Sequence, residues 1–366
     1  MKQYSFYNLP KKLKRDEYVK AQEKVVRKYS SIRNISSIYS WGSISVPGIS
    51  DLDIVLVHKL PASKLPMLKR TYLSISAKDR YMLYHPCVHI DEESFRAIRY
   101  MNPHPFFELL FGKELPIQTI TKNEEKQVYC ALLSDIIIRH YPRDFIYQKE
   151  QQSIDVRNTL LRLNSLRYTI DILSNVFRIK KPEWNVLSKD VQSLRTSWFE
   201  KKPFSDLVSL NDNALLISLD IVDMFSDLLK KEDIVKLRSK KQVTLNALKN
   251  KTLFIHDWNK EKCMEMNNRL SKDKKIVLPL VLAAQLFEYT KFKGIISDHI
   301  HKHLEGTMQY DLSHANIIKK RSEILNAQAL LAQGLAHSDF PAFFDFGYRT
   351  KSGLNNVVIR IMDSLR

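Results

Sequence analysis

The sequence predicts an α+β protein in which a small α/β domain with a mixed sheet, residues 1–120, precedes a mainly α-helical domain, residues 121–366. Short β-prone segments alternate with helical patterns in the first part of the chain. From about residue 123, apolar residues recur at intervals of three and four over long stretches. Only 8 glycines occur in 366 residues, and none forms the G-x-G-x-x-G pattern that indicates a dinucleotide-binding fold.

The first 120 residues predict alternating helices and strands. The first helix places Tyr18, Ala21 and Val25 on one side and basic residues on the other. The continuous apolar run at residues 54–57 predicts a buried strand. The expected order is a helix at 16–30, strands at 35–40 and 51–57, a helix at 65–75, a strand at 87–91 and a helix at 92–96. This order indicates an α/β layer with its site at one sheet edge.

The rest of the chain predicts a helical bundle. In one long segment, Leu160, Leu163 and Leu166 recur at helical spacing, which predicts one buried face. No internal repeat and no convincing strand repeats interrupt this pattern. Helices are expected at residues 127–141, 153–177, 189–199, 213–230, 278–291 and 313–335, and near the C-terminus.

The chain is strongly basic. Lys and Arg number 58 against 40 Asp and Glu, which gives a formal net charge of +18. Such an excess favours association with polyanions: nucleic acid, phosphorylated ligands or an anionic membrane surface. A Lys- and Ile-rich composition inherited from an AT-rich genome is the alternative explanation, because the charge is spread along the chain.

Cysteine content and apolar runs indicate the cellular setting. The three cysteines are widely spaced, which suits reduced thiols and offers no zinc-site pattern. The N-terminus lacks an apolar segment of signal-peptide length, and the longest apolar run, at residues 276–287, is too short to span a bilayer. The sequence therefore predicts a cytoplasmic protein without a membrane partner.

One short stretch carries the clearest chemical signal. Gly42-Ser43 precedes Ser50-Asp51-Leu52-Asp53, and the apolar strand follows directly. Because side chains alternate along a strand, Asp51 and Asp53 project from the same face. Two carboxylates this close are tolerated where a divalent cation such as Mg²⁺ offsets their repulsion. Gly42 permits close backbone approach, and Ser43 offers a hydroxyl suited to phosphate. Together these residues predict a site for a metal-bound triphosphate.

In this motif the chain resembles the DNA polymerase β-like nucleotidyltransferase superfamily, and the resemblance covers roughly residues 15–120. The superfamily signature is a Gly-Ser turn followed by an Asp-x-Asp strand, here Gly42-Ser43 and Ser50-Asp51-Leu52-Asp53. The resemblance implies a transferase that uses Mg²⁺ or Mn²⁺ and a nucleoside triphosphate. Ser50 is included among the expected nucleotide-binding residues. The basic residue familiar in the connecting loop of the superfamily is missing here.

The resemblance also implies a third carboxylate on a neighbouring strand. Asp91 is the best match, so Asp51, Asp53 and Asp91 are the expected catalytic metal ligands. Glu92 or Glu93 could serve instead. Asp91 could alternatively cap the helix that begins at Glu92.

The superfamily often supplies phosphate-binding groups from the first long helix of its second domain. Here that helix carries Arg162 and Arg167, and the planar guanidinium pairs well with phosphate oxygens. A solvated helix face is the alternative interpretation. Arg162 and Arg167 are therefore candidate triphosphate ligands.

The motif does not specify the acceptor hydroxyl, and three hypotheses remain. The leading one is the 3′ end of RNA such as tRNA, which the basic composition supports. The second is a small molecule or a protein, as in antibiotic, sugar-phosphate or toxin-type transferases. The third is a catalytically silent scaffold that binds nucleotide or RNA.

Overall fold

The computed structural model describes residues 4–61, 76–84, 87–232, 234–238, 242–246, 251–270, 275–283, 286 and 308–332. Within these ranges the protein is α+β, as the sequence predicts. The expected helices at 65–75 and near the C-terminus lie outside the described residues. The first elements are β1 (Ser5–Tyr7), α1 (Arg15–Ser30), β2 (Ile35–Trp41), β3 (Asp53–His58), α2 (Ala77–Met82), β4 (Val88–Asp91), α3 (Glu92–Arg96) and β5 (Phe107–Gly112).

The sheet that carries the site has the strand order β4-β3-β2-β5. Strand β2 is antiparallel to both β3 and β5, whereas β4 is parallel to β3, so the sheet is mixed. One face packs on α1, where Tyr18 and Val25 meet Ile38 and Leu56 in one apolar cluster. The other face faces the helices that follow. The sheet is therefore covered on both sides.

The second part of the chain begins with well-capped helices. The Thr121 side chain accepts a hydrogen bond from Glu124 N at the start of α4, and Asp155 caps α6 in the same way. Helices α6, α7 and α8 pack against one another. The elements are α4 (Lys122–Arg139), α5 (Arg143–Gln151), β6 (Ser153–Asp155), α6 (Val156–Asn175), α7 (Pro182–Lys201), α8 (Phe204–Lys231), β7 (Val235–Leu237), β8 (Val243–Asn246), β9 (Lys251–Ile255), α9 (Lys260–Leu270), β10 (Lys275–Pro279), β11 (Met308–Tyr310) and α10 (Leu312–Ala332).

The second part of the chain is expected to be mainly helical, and in its described residues six short strands accompany the helices. Strand β6 pairs with β1, β7 pairs with β11, and β8, β9 and β10 form a three-stranded sheet. Residues 275–279 are a strand in the region where the sequence predicts the start of a helix at 278. A short buried strand is apolar throughout, and periodicity cannot distinguish such a run from a buried helix.

One apolar core connects the sheet to the helices. Tyr39, Val55 and Val57 on the sheet belong to the same buried cluster as Leu160 and Leu163 on α6. The predicted domain boundary at 120/121 lies between β5 and α4, but the core continues across it. Within the described parts of the chain, no helix is both long enough and apolar enough to cross a membrane.

Candidate active site

The Gly42-Ser43 turn lies at the end of β2 and opens to solvent. Gly42 has φ +83°, and a Cβ placed on it would find nothing within 4 Å. Its N–H donates to the Phe106 carbonyl at 2.9 Å, so this amide is already used within the protein. Ser43 is exposed. The turn therefore offers space and a hydroxyl to a ligand, while the Gly42 N–H bonds the residue directly before β5.

The two carboxylates of the motif lie beside this turn. Trp41, the last residue of β2, pairs with Asp53, the first residue of β3. Burial and the nearby charge of Asp51 raise the pKa of Asp53 well above its usual value. Both residues are half-buried. A pair of repelling carboxylates in such a place suits a divalent cation, because hard oxygen ligands bind Mg²⁺ and its charge removes the repulsion. The donor set of Asp51 and Asp53 thus fits the metal that the sequence predicts.

The structure does not bring Asp91 to this pair. Asp91 is paired with His58, at the far end of β3 from Asp53. His58 lies five positions along the strand from Asp53, which is about 16 Å at the rise of a β-strand. Asp91 instead caps α3, where its carboxylate accepts a hydrogen bond from Ser94 N at 2.8 Å. The expected three-carboxylate cluster is therefore corrected to a pair.

The other acids around β4 do not replace it. Glu92 and Glu93 follow Asp91 at the same end of the sheet, and Glu92 lies 3.8 Å from Arg96. Among the residues the structure describes, no three His, Cys, Asp or Glu side chains form a group that could hold a metal ion. A metal at Asp51 and Asp53 would complete its coordination with water and substrate phosphates, as Mg²⁺ commonly does.

The two arginines expected to bind phosphate have different surroundings. Arg162 Nε lies 3.0 Å from Asp144 Oδ2 on α5, which ties this side chain to its own helical layer. Arg167 donates to Gln192 Oε1 at 3.3 Å on α7 and lies over the Tyr168 ring. Neither contact reaches residues 42–52, the loop between β2 and β3 that carries Asp51 and is called the site loop below.

Sequence analysis missed Arg195, the arginine of α7 that contacts the site loop. It is 3% exposed and donates to Leu160 O at 2.8 Å and to Ser45 Oγ at 3.3 Å. Burial, with a contribution from the charge of Arg167, lowers the pKa of Arg195 to about 10, while Asp51 acts in the opposite direction. The sequence does contain a signal for this residue, because Arg195 interrupts the apolar face of α7. An arginine at a core position indicates that another group is hydrogen-bonded to it.

Ser50 is part of the loop and not of its open surface. The residue is 4% exposed, and its Oγ accepts a hydrogen bond from Val46 N at 3.1 Å. Its carbonyl accepts a hydrogen bond from Tyr18 OH at 2.6 Å. The predicted role in nucleotide binding is therefore corrected: Ser50 shapes the loop that presents Asp51.

Three further helices hold the same loop. Tyr18 of α1 accepts from Gly48 N at 2.9 Å, and Tyr81 of α2 donates to Gly48 O at 2.5 Å. Arg157 of α6 reaches Ile49 O at 3.4 Å and stacks over the Tyr81 ring at 3.8 Å from its centroid. The loop before Asp51 is thus fixed from several sides, which favours a preorganised site.

No protein-family model, curated protein or solved structure matches this chain. The function is therefore inferred from the side chains of the site itself. The class of protein that this site indicates follows from its carboxylate pair and its open turn.

Proposed function

We propose that the protein is a metal-dependent nucleotidyltransferase that moves a nucleoside monophosphate from a triphosphate to an acceptor hydroxyl, with release of pyrophosphate. The observation that carries the proposal is the juxtaposition at the ends of β2 and β3. The open left-handed turn at Gly42 lies beside Asp53, whose pKa is raised by burial and by Asp51. The space that a phosphate would fill therefore lies next to a carboxylate pair that needs a cation.

Each residue has a defined task in this proposal. Asp51 and Asp53 hold Mg²⁺ or Mn²⁺, which supplies charge neutralisation of the phosphates. Gly42 leaves room for the triphosphate, and the exposed Ser43 hydroxyl donates to its terminal phosphates. Asp91 has no part in the reaction, because it lies at the opposite end of β3.

We propose RNA as the acceptor, and the position of a basic segment supports this choice. Residues 11–15 include four Lys or Arg side chains, all exposed. Arg15 donates to Ile44 O at 3.2 Å in the site loop, and Lys11 N donates to Tyr81 OH at 2.9 Å. Positive charge therefore borders the loop that carries Asp51. This charge would increase the affinity for a polyanionic acceptor.

Transfer of label tests the proposal. Purified protein is incubated with Mg²⁺, each labelled nucleoside triphosphate in turn and total RNA. The proposal expects label in RNA. Label in a small metabolite or in protein would retain the transferase and replace the acceptor by the second hypothesis. No transfer from any triphosphate, with RNA or nucleotide still bound, would support the silent scaffold.

A further inference from the structure

We propose that Arg195 is a positioning residue: it fixes the metal ligand Asp51 from the helical part of the protein, through the hydroxyl groups of Ser45 and Ser50. The inference rests on the proposed function, because it assigns the means by which one ligand of that site is held. The inferred contact joins α7 to the site loop, and the Gly-Ser and Asp-x-Asp motif does not contain it.

The hydrogen bonds define a chain with a direction. An Arg195 Nη2–H donates to Ser45 Oγ at 3.3 Å. Ser45 Oγ lies 3.3 Å from Ser50 Oγ, and because Ser45 already accepts from Arg195, its own hydrogen is available for Ser50. Ser50 Oγ also accepts from Val46 N, and Asp51 is the next residue. The guanidinium thus acts on the residue directly before Asp51.

The arginine itself is held firmly. Its Nη1 donates to Leu160 O at 2.8 Å on the neighbouring helix α6, and the side chain is 3% exposed. Even with the pKa lowered to about 10, the guanidinium stays charged at neutral pH. A buried charge without hydrogen-bond partners would be strongly destabilising, and Leu160 and Ser45 supply partners to this guanidinium.

This contact differs from the other supports of the loop. Tyr18, Tyr81 and Arg157 bond the backbone of residues 48–50 and so fix the path of the chain. Arg195 bonds a side chain, Ser45, whose removal leaves those backbone contacts intact. Outer-shell partners of this kind orient metal ligands, and removing one typically weakens metal binding by about 10- to 100-fold.

Mn²⁺ binding tests the proposal without nucleotide or turnover. Electron paramagnetic resonance counts free Mn²⁺ during titration of the wild type, Ser45→Ala, Ser45→Thr and the control Ser197→Ala. Within the part of the chain that the structure describes, the Ser197 hydroxyl donates only to Ser193 O of its own helix. We expect Ser45→Ala to bind Mn²⁺ about tenfold more weakly, while Ser45→Thr and Ser197→Ala bind like the wild type.

A second variant addresses the arginine directly. Arg195→Met keeps much of the side-chain volume and removes the charge, and it should show the same loss of Mn²⁺ affinity if it folds. Should it unfold, the Ser45 series still decides the matter. Unchanged affinity in Ser45→Ala, or equal losses in Ser45→Ala and Ser197→Ala, would overturn the inference. If Asp51→Asn instead binds Mn²⁺ as tightly as the wild type, Asp51 is not a metal ligand and the proposed function is wrong.

Discussion

Two glycines in the site loop adopt positive φ for different reasons. Gly42 has φ +83° with open space around a Cβ, whereas a Cβ on Gly48 would lie 2.0 Å from Lys11 O and 2.9 Å from the Phe199 ring. Gly42 thus leaves room for a ligand, and Gly48 lets the basic segment pack against the loop. The same residue type serves binding at one position and packing at the other.

This contrast predicts the stability of two variants. Gly42→Ala should destabilise the protein by about 1 kcal/mol, from left-handed strain alone. Gly48→Ala should destabilise it by at least about 3 kcal/mol, because a clash with the Lys11 backbone adds to that strain. Urea unfolding measures both, and each variant serves as the control for the other. Equal losses would show that the two surroundings do not differ as described.

The raised pKa of Asp53 predicts that the stability of the protein depends on pH. Its pKa is raised in the folded protein, so the folded state retains a proton that the unfolded state has released. The associated stability is present below the unfolded pKa near 3.8 and is lost as pH rises through the folded pKa. In the presence of EDTA, Asp53→Asn should therefore melt several degrees higher than wild type at neutral pH. The difference should vanish in acid.

Differential scanning calorimetry across the pH range measures this effect. Asp190→Asn, on the exposed face of α7, is the control and should change the melting temperature little at any pH. A neutral-pH melting temperature for Asp53→Asn at or below that of the wild type would contradict the raised pKa of Asp53.

Strands β3 and β4 together contain a buried histidine pair. His58 Nε2 lies 3.0 Å from His89 Nδ1, and both side chains are buried. Burial lowers the pKa of His58 to about 4, and burial together with His58 lowers the pKa of His89 to about 3. Both imidazoles are therefore neutral where an unfolded chain would be protonated. Their stabilising effect is complete above pH 6.5 and declines as pH falls toward 4.

Acid unfolding tests this pair. The free energy of unfolding should fall between pH 6.5 and about 4, by up to about 1.4 kcal/mol per pH unit for each histidine. The double variant His58→Leu/His89→Leu removes both partners and should lose most of this slope. His104→Leu, which removes an exposed histidine, is the control. A slope unchanged in the double variant would show that these imidazoles do not govern acid stability.

The elements differ in how well the sequence predicts them. Helix α1 and strand β2 were predicted almost at their observed bounds, because a long amphipathic pattern and a flanking Gly42 mark them. The sequence predicts the residues of β6 as the first turn of α6, because three residues cannot show a period and their pairing with β1 is distant in sequence. Strand β10 was missed because a buried apolar run fits helix and strand equally well.

The candidate site was predictable where the signal is local and not where it depends on register. Asp51 lies two residues before Asp53, the first residue of β3, so the sequence spacing alone keeps the two carboxylates near each other. The position of Asp91 depends on how β4 aligns with β3, and the parallel register places it beside His58. The contact of Arg195 with Ser45 joins residues 150 positions apart, which local patterns cannot report.

At the scale of the whole molecule, the proposal that RNA is the acceptor predicts a salt-dependent affinity for RNA. The formal charge of +18 should give an affinity that weakens steeply with salt, since binding releases counterions. Lys12→Glu reverses an exposed charge in the basic segment at residues 11–15 and should weaken RNA binding at low salt by about tenfold or more. Filter binding at several salt concentrations measures both effects.

Lys189→Glu is the matched control, because it reverses an exposed charge on α7 within the helical part. Its effect on RNA affinity should be smaller than that of Lys12→Glu. RNA binding that ignores salt, or equal losses in the two variants, would remove the basic segment at residues 11–15 from the acceptor site.

In the proposed function, Asp51 and Asp53 are the metal ligands of the reaction and Asp91 takes no part in it. The most direct measurement is the rate of label transfer in Asp51→Asn and Asp91→Asn at saturating Mg²⁺. Asn also caps a helix, so Asp91→Asn keeps the contact to Ser94 and should transfer at nearly the wild-type rate. Asp51→Asn should fold and lose transfer by at least about 100-fold, because a metal ligand is gone. Near-normal transfer in Asp51→Asn, or its loss in Asp91→Asn alone, would contradict the site described here.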